Sequence, residues 1–239
     1  MTGLRVENLG YAYGQKQALH DLSFRIEPGT FCALLGPNGA GKSTLFSLLT
    51  RLFVAPRGRI RIAGHDLARD PHGALRSMGV VFQQPTLDLD LTVLRNLTYF
   101  SALHGLSGKA ARVRIDAVLD RLDMRERLGE TVRDLNGGHR RRLEIARSLI
   151  HRPEVLLLDE PTVGLDAATR RAITDHVHDL SARDGLTVLW ATHLTDEVRD
   201  TDKVLILHRG RLLENGLARP GRGALSLNDH FLALTGAAA

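Results

Sequence analysis

A glycine-rich loop is the part of the sequence whose residue types point most directly to chemistry. Residues 36–44 read GPNGAGKST, which fits the pattern G-x-x-x-x-G-K-[ST], and they lie between the apolar run FCALL and the run KSTLFSLL. The glycines let successive backbone N–H groups point at phosphate oxygens, and the following helix N-terminus adds the positive end of its dipole. We predict that Lys42 reaches the β- and γ-phosphates and that the Ser43 hydroxyl binds Mg²⁺. The predicted nucleotide ligands are Gly36, Pro37, Asn38, Gly39, Ala40, Gly41, Lys42, Ser43 and Thr44.

A pair of carboxylates supplies the complementary chemistry. The run VLLLDE predicts a buried strand that delivers Asp159 and Glu160 at its C-terminal end, where open α/β sheets bind ligands. Asp159 is the candidate Mg²⁺ ligand, and Glu160 is the candidate group that orients or deprotonates the attacking water. Adjacent acids after a strand are common on their own, but together with the loop at Gly36 they predict hydrolysis of a nucleoside triphosphate.

Strands and helices alternate around these residues. Short apolar runs predict buried strands, and helical patterning follows several of them. The predicted strands are LRVENL, ALHDLSFRI, FCALL, GRIRIAG, MGVVF, VLLLD, TVLWAT and KVLIL, and the predicted helices are KSTLFSLLTRL, ATRRAITDHVHDLSARD and LTDEVRD. The alternation predicts an α/β fold with a mostly parallel sheet.

Strand signals stop between Thr92 and Ile150. Three successive runs there predict helices, one of them with Ser107 as its N-cap. We predict a helical subdomain at about residues 85–150, inserted into a nucleotide-hydrolysing domain of residues 1–217. Residues 218–239 are predicted to be a short tail with one helix.

Composition narrows the functional classes. The net charge of +5 comes from arginines that are scattered along the chain rather than gathered in one run, which argues against nucleic-acid binding. The single cysteine, Cys32, lies in the run FCALL and is predicted to be a core residue of a protein from a reducing compartment. No apolar run approaches the roughly 18 residues of a membrane span, so we predict a soluble protein whose membrane role, if any, comes through a partner.

Several further motifs give the chain a specific resemblance. From residue 3 to 217 it resembles the nucleotide-binding subunit of an ATP-binding cassette (ABC) transporter. YGQKQAL contains Tyr13, matching the aromatic residue that stacks on adenine; a tyrosine alone would more often belong to the core or the surface. VVFQQP contains Gln83, matching a glutamine that contacts Mg²⁺ and senses the membrane partner, with Gln84 as the alternative register. PTVGLDAAT contains Asp166, matching an aspartate at the dimer interface, and ATHLTDEV contains His193, matching a histidine at the γ-phosphate.

The resemblance implies a fold, cofactors and partners. The fold is a P-loop NTPase core with a mostly parallel sheet, an N-terminal antiparallel β subdomain and the inserted helical subdomain. The implied cofactors are ATP and Mg²⁺, the latter held by Ser43, Gln83 and Asp159. The implied partners are a second copy of the chain or a homologous subunit in a head-to-tail dimer and a polytopic permease, which places the subunit at the cytoplasmic face of the membrane.

Direction and role leave alternatives. The short region after the last core strand and the stretch VFQQPTLDLDLTVLRNL resemble the exporter branch, of the drug-efflux type, and more narrowly the subunits accompanying pyrroloquinoline-quinone-dependent alcohol oxidation systems. The alternative class is a non-transport ABC ATPase that acts as a nucleotide switch on nucleic acid, the ribosome or a protein partner.

The run LNGGH departs from the family signature LSGGQ that it otherwise matches. Asn136 replaces a serine and His139 replaces a glutamine, whereas Gly137 and Gly138 are kept. An Asn amide and an imidazole can both donate to a nucleotide, the latter with a pH dependence near an unperturbed pKa of about 6.5. The other interpretation is an Asn N-cap without a catalytic part. We predict a working, altered signature, followed by arginines 140–142 on the exposed and interface faces of the helix.

Overall fold

The four-stranded sheet at the start of the chain is antiparallel. The structure is a computed structural model that describes residues 3–218 and 225–236. This sheet has the strand order β2-β1-β4-β5 and consists of β1 (Leu4–Tyr13), β2 (Lys16–Ile26), β4 (Arg57–Ile62) and β5 (His65–Asp66). A tight turn with Gly14 at φ 58° joins β1 to β2. The predicted antiparallel β subdomain is confirmed.

A six-stranded sheet forms the centre of the fold. Its order is β10-β9-β3-β8-β7-β6, with β10 antiparallel to β9 and the other neighbours parallel. The strands are β3 (Phe31–Leu35), β6 (Met78–Val81), β7 (Val155–Asp159), β8 (Thr187–Thr192), β9 (Lys203–His208) and β10 (Arg211–Leu217). All residues of β3, β7 and β8 are buried, as expected for strands covered on both faces. The mostly parallel α/β sheet is confirmed.

Seven α-helices surround this sheet in the part of the chain that the structure describes. They are α1 (Lys42–Leu49), α2 (Pro71–Arg76), α3 (Val93–Leu103), α4 (Gly108–Arg121), α5 (Gly137–Leu149), α6 (Ala167–Asp184) and α7 (Leu227–Thr235). No described helix is long and apolar enough to cross a bilayer. Helices α3, α4 and α5 fall within the predicted helical insertion, but the domain boundaries at about residues 85, 150 and 217 stay predictions.

Apolar residues form cores on both faces of the six-stranded sheet. One cluster joins the antiparallel sheet and α1 to one face, and includes Phe46, Leu157 and Cys32. A second cluster joins helices α3 to α6 to the other face around Trp190. Burial raises the pKa of the Cys32 thiol, as expected of an inert core residue.

The segment LTDEVRD is not the predicted α-helix. It forms only a 3₁₀ turn, Thr195–Glu197, and continues as extended chain. The physical reason is the burial of Glu197, whose carboxylate accepts hydrogen bonds from Trp190 Nε1 at 3.0 Å and from the Thr162 hydroxyl. Holding this carboxylate in the core fixes the turn in a conformation that does not continue as a helix.

Three elements, α2, β5 and β10, had no counterpart among the predicted ones. Helix α2 starts from Asp70, whose Oδ1 accepts from Gly73 N at 2.9 Å, with Pro71 in the first turn. Of the predicted tail, residues 219–224 and 237–239 lie outside the described residues. Phe231 of α7 packs with β3 and β9.

Candidate active site

The glycine-rich loop folds into an open anion cradle. Gly39 and Gly41 have φ values of 78° and 111°, which side chains rarely tolerate. A Cβ on Gly36 would come within 2.6 Å of the Leu207 carbonyl oxygen. Helix α1 starts at Lys42 with no side-chain cap and no acidic residue in its first turn. Its free N–H groups and dipole therefore suit a phosphate.

A cavity of about 710 Å³ lies over this loop. Its lining joins the predicted residues 37–44 with Tyr13, Gln83 and Glu160. The Tyr13 ring is half exposed and packs edge-on against Tyr11 and Phe53, with centroid distances of 5.1 and 5.9 Å. This leaves an aromatic face available to a flat ligand at the mouth of the cavity. Gln84, the alternative register, is not part of the lining.

Glu160 is the point on which three polar side chains converge, Lys42 and Gln83 from the cavity lining and His193 from outside it. Its carboxylate lies 3.2 Å from Lys42 Nζ, accepts from Gln83 Nε2 at 3.4 Å and lies 3.6 Å from His193 Nδ1. Its backbone has φ 46°, in the left-handed region that non-glycine residues rarely adopt. Three side chains from different parts of the chain therefore meet at one buried carboxylate.

Asp159 lies beside Glu160, and its pKa differs from that of an ordinary aspartate. Burial raises its pKa to about 6, the charge of Glu160 adds to this rise, and Lys42 and Arg141 oppose it. Its carboxylate accepts no hydrogen bond from the described residues. A divalent cation would add to the counter-charge that Lys42 and Arg141 already give this carboxylate.

The residues present fit a Mg²⁺ ion held mainly by the nucleotide. Ser43, Gln83 and Asp159 offer only oxygen ligands of the kind that Mg²⁺ prefers. Within residues 3–218 and 225–236, no three His, Cys, Asp or Glu side chains gather as a metal cage. Such a site would need phosphate oxygens and waters as further ligands, which is the usual way that Mg²⁺ accompanies nucleotides.

The signature residues do not line this cavity. Asn136 is the N-cap of α5, and its Oδ1 accepts from His139 N at 2.8 Å, which leaves the amide NH₂ as a donor. His139 has a lowered pKa because of partial burial and the nearby Arg127 and Arg142. Its protonation is therefore expected below pH 6.5, and not near it as the sequence suggested.

Asp166 lies beside the signature at the start of α6. Its carboxylate accepts from Thr169 Oγ1 at 2.7 Å and from Thr169 N at 2.9 Å, and these bonds lower the pKa of Asp166. A Cβ on Gly138 would come within 2.6 Å of Thr169 Cγ2. The signature and the Asp166 turn are thus neighbours, joined by Thr169.

Arg141 is buried, and its predicted place on an exposed face is wrong. It donates to the Phe82 carbonyl oxygen at 2.8 Å and the Gln83 carbonyl oxygen at 3.2 Å, and it pairs with Glu144 at 2.7 Å. Glu144 accepts from Thr86 N at 2.9 Å, and burial raises its pKa despite the Arg141 charge. The signature helix is therefore tied to the segment that carries Gln83.

Other residues of the site were missed because they carry no motif. His20, which would be assigned to the surface or core, lines the cavity with Lys16 and Arg209. Only the fold brings these basic residues to the loop.

The burial of Arg141 had a signal in the sequence. Residues 141, 144, 145 and 148 share one helical face, on which Ile145 is an expected core residue.

Comparison with known proteins identifies the family that this site belongs to. The profile described as "ABC transporter" matches residues 19–163. The daunorubicin resistance ATP-binding protein DrrA3 of Streptomyces coeruleorubidus is 40% identical over 218 residues, which cover 91% of this chain and 69% of that protein. The Nod factor export ATP-binding protein I of Ralstonia nicotianae is 38% identical over 214 residues, which cover 89% of this chain and 66% of that protein. The chain thus spans about two thirds of the length of these relatives.

A solved structure shares the fold. The ATP-binding cassette MJ0796, in a dimeric post-hydrolysis state bound to ADP and Pi, superposes with a TM-score of 0.78 at 27% identity. The alignment covers 90% of this chain and 98% of that one.

The buried Arg141–Glu144 pair generates a stability prediction. Arg141→Ala leaves the Glu144 charge buried without its partner, so we expect a loss of about 3 kcal/mol in the free energy of unfolding. The matched control is Arg112→Ala, which removes an exposed i,i+4 pair with Asp116 and should cost below about 0.5 kcal/mol. Urea denaturation of both variants measures the difference. Equal losses of unfolding free energy in the two variants would show that the buried Arg141–Glu144 pair contributes no more to stability than an exposed pair.

Proposed function

The chain belongs to the ABC transporter family and is an ATPase of that family; from this premise we propose that it is the ATP-hydrolysing subunit of a membrane exporter. The observation that carries the proposal is the convergence of Lys42, Gln83 and His193 on the Glu160 carboxylate. Hydrolysis of the γ-phosphate needs a cation, a metal ligand, a polar contact to the phosphate and a base at one point. Lys42, Gln83, His193 and Glu160 supply these four groups in that order.

ATP binding is assigned to the glycine-rich loop and Tyr13. The backbone N–H groups of residues 36–44 and the start of α1 hold the phosphates, and Lys42 neutralises the β- and γ-phosphates. The Tyr13 ring stacks on the adenine at the open side of the cavity. The half-exposed face of the ring is free for this contact.

Mg²⁺ is assigned to Ser43, Gln83 and Asp159. When bound, it neutralises charge on the β- and γ-phosphate oxygens and so favours departure of the ADP oxygen. The raised pKa of Asp159, about 6, supports this assignment, because Lys42 and Arg141 only partly offset the cost of burying its charge and a bound cation would offset more of it.

Hydrolysis itself is assigned to Glu160 and His193. Glu160 orients the attacking water and accepts its proton, and His193 donates a hydrogen bond to the γ-phosphate. Lys42 and Gln83 hold the carboxylate of Glu160 from two sides, which restricts its orientation. The strained backbone at Glu160 adds to this fixed placement.

The signature is assigned to a second subunit's ATP. Asn136, Gly137, Gly138 and His139 lie outside the cavity lining, and we assign them to the ATP held by the loop of another copy. The neighbouring Asp166 turn lies beside them and belongs to the same contact face. We assign a head-to-tail dimer of two copies of this chain, with two ATP molecules buried between them.

The export direction rests on the relatives. One is a resistance protein and one an export protein by name, and the covered length is only part of each. We assign this chain to the same direction, acting with a polytopic permease at the cytoplasmic face of the membrane. The permease, and not this chain, contacts the transported molecule.

Glu160→Gln tests the assigned base. The variant keeps the shape of the side chain but cannot accept a proton, so we expect MgATP binding to persist while hydrolysis slows about a hundredfold or more. The ATP-bound dimer should then accumulate in size-exclusion chromatography with MgATP. A variant that stays monomeric and hydrolyses ATP at the parent rate would remove Glu160 from this role.

Lys42→Ala and His193→Ala separate two contacts with the phosphates. Lys42 serves both the β- and γ-phosphates, so its loss should weaken ADP as well as ATP. His193 serves only the γ-phosphate, so its loss should slow turnover and leave ADP affinity near the parent value. Titration of each variant with ADP measures this, and equal weakening of ADP by both would contradict the assignment.

Gly138→Asp tests the altered signature. The new carboxylate repels the γ-phosphate of the opposite ATP and crowds Thr169, so ATPase activity of the assembled transporter should be abolished while the isolated subunit still binds ATP. Asn136→Ser should keep a substantial fraction of the activity. Gly129→Asp is the charge control, because Gly129 has open space around its Cβ position and no positive φ. If Gly138→Asp hydrolyses ATP as fast as Gly129→Asp, the LNGGH run is not half of an active site.

A further inference from the structure

A second cavity lies at the opposite end of the six-stranded sheet. It measures about 380 Å³ and shares no residue with the cavity at the glycine-rich loop. Pro153 and Leu186 in its wall precede the first residues of β7 and β8, whereas Glu160 and His193 follow the last residues of the same strands. The second cavity is therefore remote from ATP.

One part of the cavity wall is apolar. Val118 comes from α4, Leu149 and Ile150 from the end of α5, and Leu180 from α6, and all four are buried. Such a surface takes an aliphatic group without any polar group being left unpaired. A site of this size and lining is within the range of small-molecule pockets.

The rim of the cavity carries an excess of positive charge. It contains Arg114, Arg121 and Arg152 against the single carboxylate of Asp184. Arg121 already uses that carboxylate, with two bonds of 2.5 and 3.0 Å. Arg114 and Arg152 form no ion pair with any residue in 3–218 or 225–236. Two guanidinium groups beside an apolar wall are thus without a counter-charge from the described chain.

Arg114 is a buried donor without an acceptor. Its Nη1 is inaccessible to solvent and has no hydrogen-bond partner in the described residues. Buried polar groups are almost always paired, and an unpaired one costs free energy. Because Nη1 has no accessible surface, Arg114 lines the cavity through its other atoms, and an anion there would give its guanidinium group the counter-charge that it lacks.

Arg152 has an unusual backbone. Its φ is 56°, in the left-handed region where a residue after a helix is usually Gly or Asn. The site therefore tolerates Asn at least as well as Arg, which makes the charge removable without harm to the fold.

We propose that this cavity binds a small amphipathic anion, with a carboxylate or phosphate monoester on Arg114 and Arg152 and an aliphatic chain against the apolar wall. The volume of about 380 Å³ lies in the lower part of the range of small-molecule sites, which is about 300 to 1,000 Å³. A ten-carbon acid is of that size. The ligand would contact α4 of the helical segment and α6 of the core at once, and would favour the arrangement of the two that forms the cavity.

Titration of the full chain with decanoate, decyl phosphate and decan-1-ol tests the proposal. Isothermal titration calorimetry gives affinity, and the two anions distinguish a fatty-acid head from a phosphate head. We expect at least one anion to bind and the neutral alcohol to bind about tenfold more weakly or not at all, since it lacks the charge-assisted contacts. A ligand that binds the folded chain should also raise the thermal midpoint, without any ATP present.

Three variants locate the site. Arg114→Met keeps most of the side-chain volume and removes the guanidinium charge, so binding should weaken about tenfold. Arg152→Asn suits the left-handed backbone and should weaken binding about threefold, because that arginine is exposed. Arg51→Asn is the matched control, an exposed arginine at φ 58° that does not line the cavity and should leave binding unchanged.

Each other outcome overturns the proposal. Absence of binding by both anions would do so, as would decan-1-ol binding as tightly as decanoate, since the arginines would then play no part. Equal weakening by Arg51→Asn and Arg152→Asn would show attraction to net charge and no site. None of these readouts uses ATP hydrolysis, so failure here leaves the proposed ATPase function untouched.

Discussion

The carboxylate of Glu160 is the constraint on which the site depends. It sits at the end of β7, a strand whose five residues are all buried, and its own backbone is held in a left-handed conformation by a bond from Glu160 N to the Ala191 carbonyl oxygen at 3.0 Å. Lys42 at the start of α1, Gln83 after β6 and His193 after β8 reach this group from three directions. Parallel strand order explains the meeting, because the carboxyl ends of β6, β7, β8 and β3 share one edge of the sheet.

The proposed signature half of the site lies apart from this carboxylate, but hydrogen bonds connect the two. Helix α5, which begins at the signature, holds the segment of residues 82–86 through Arg141 and Glu144, and that segment carries Gln83. We therefore expect a displacement of the signature helix to move the glutamine at the carboxylate as well. In the proposed dimer this link would let one subunit's ATP site respond to the contacts that the other subunit makes.

Local pattern was enough to predict the loop, the strands other than β5 and β10, and the order of motifs, because continuous apolar runs and a glycine-rich turn have few alternative structures. It failed where a tertiary contact decided the structure. Arginine is rarely buried, so Arg141 was assigned to the surface, yet two carbonyl oxygens and Glu144 satisfy it inside. In the same way, Trp190 and Thr162 hold Glu197 and end the expected helix after one turn. Lys16 and Arg209, the basic residues in the lining of the cavity over the glycine-rich loop, come from distant segments that no local motif connects.

The central claim is that this chain carries half of each ATP site and that a second copy supplies the signature half. Disulfide cross-linking between subunits tests this claim most directly. Asn38→Cys places a thiol on the exposed part of the loop, and His139→Cys places one at the signature. The native Cys32 is buried and stays inert. We predict that mixing the two single variants with Mg²⁺ and a non-hydrolysable ATP analogue gives a disulfide-linked dimer, and that neither variant alone nor the mixture without nucleotide does so. A mixture that never cross-links, or that cross-links equally without nucleotide, would contradict the account.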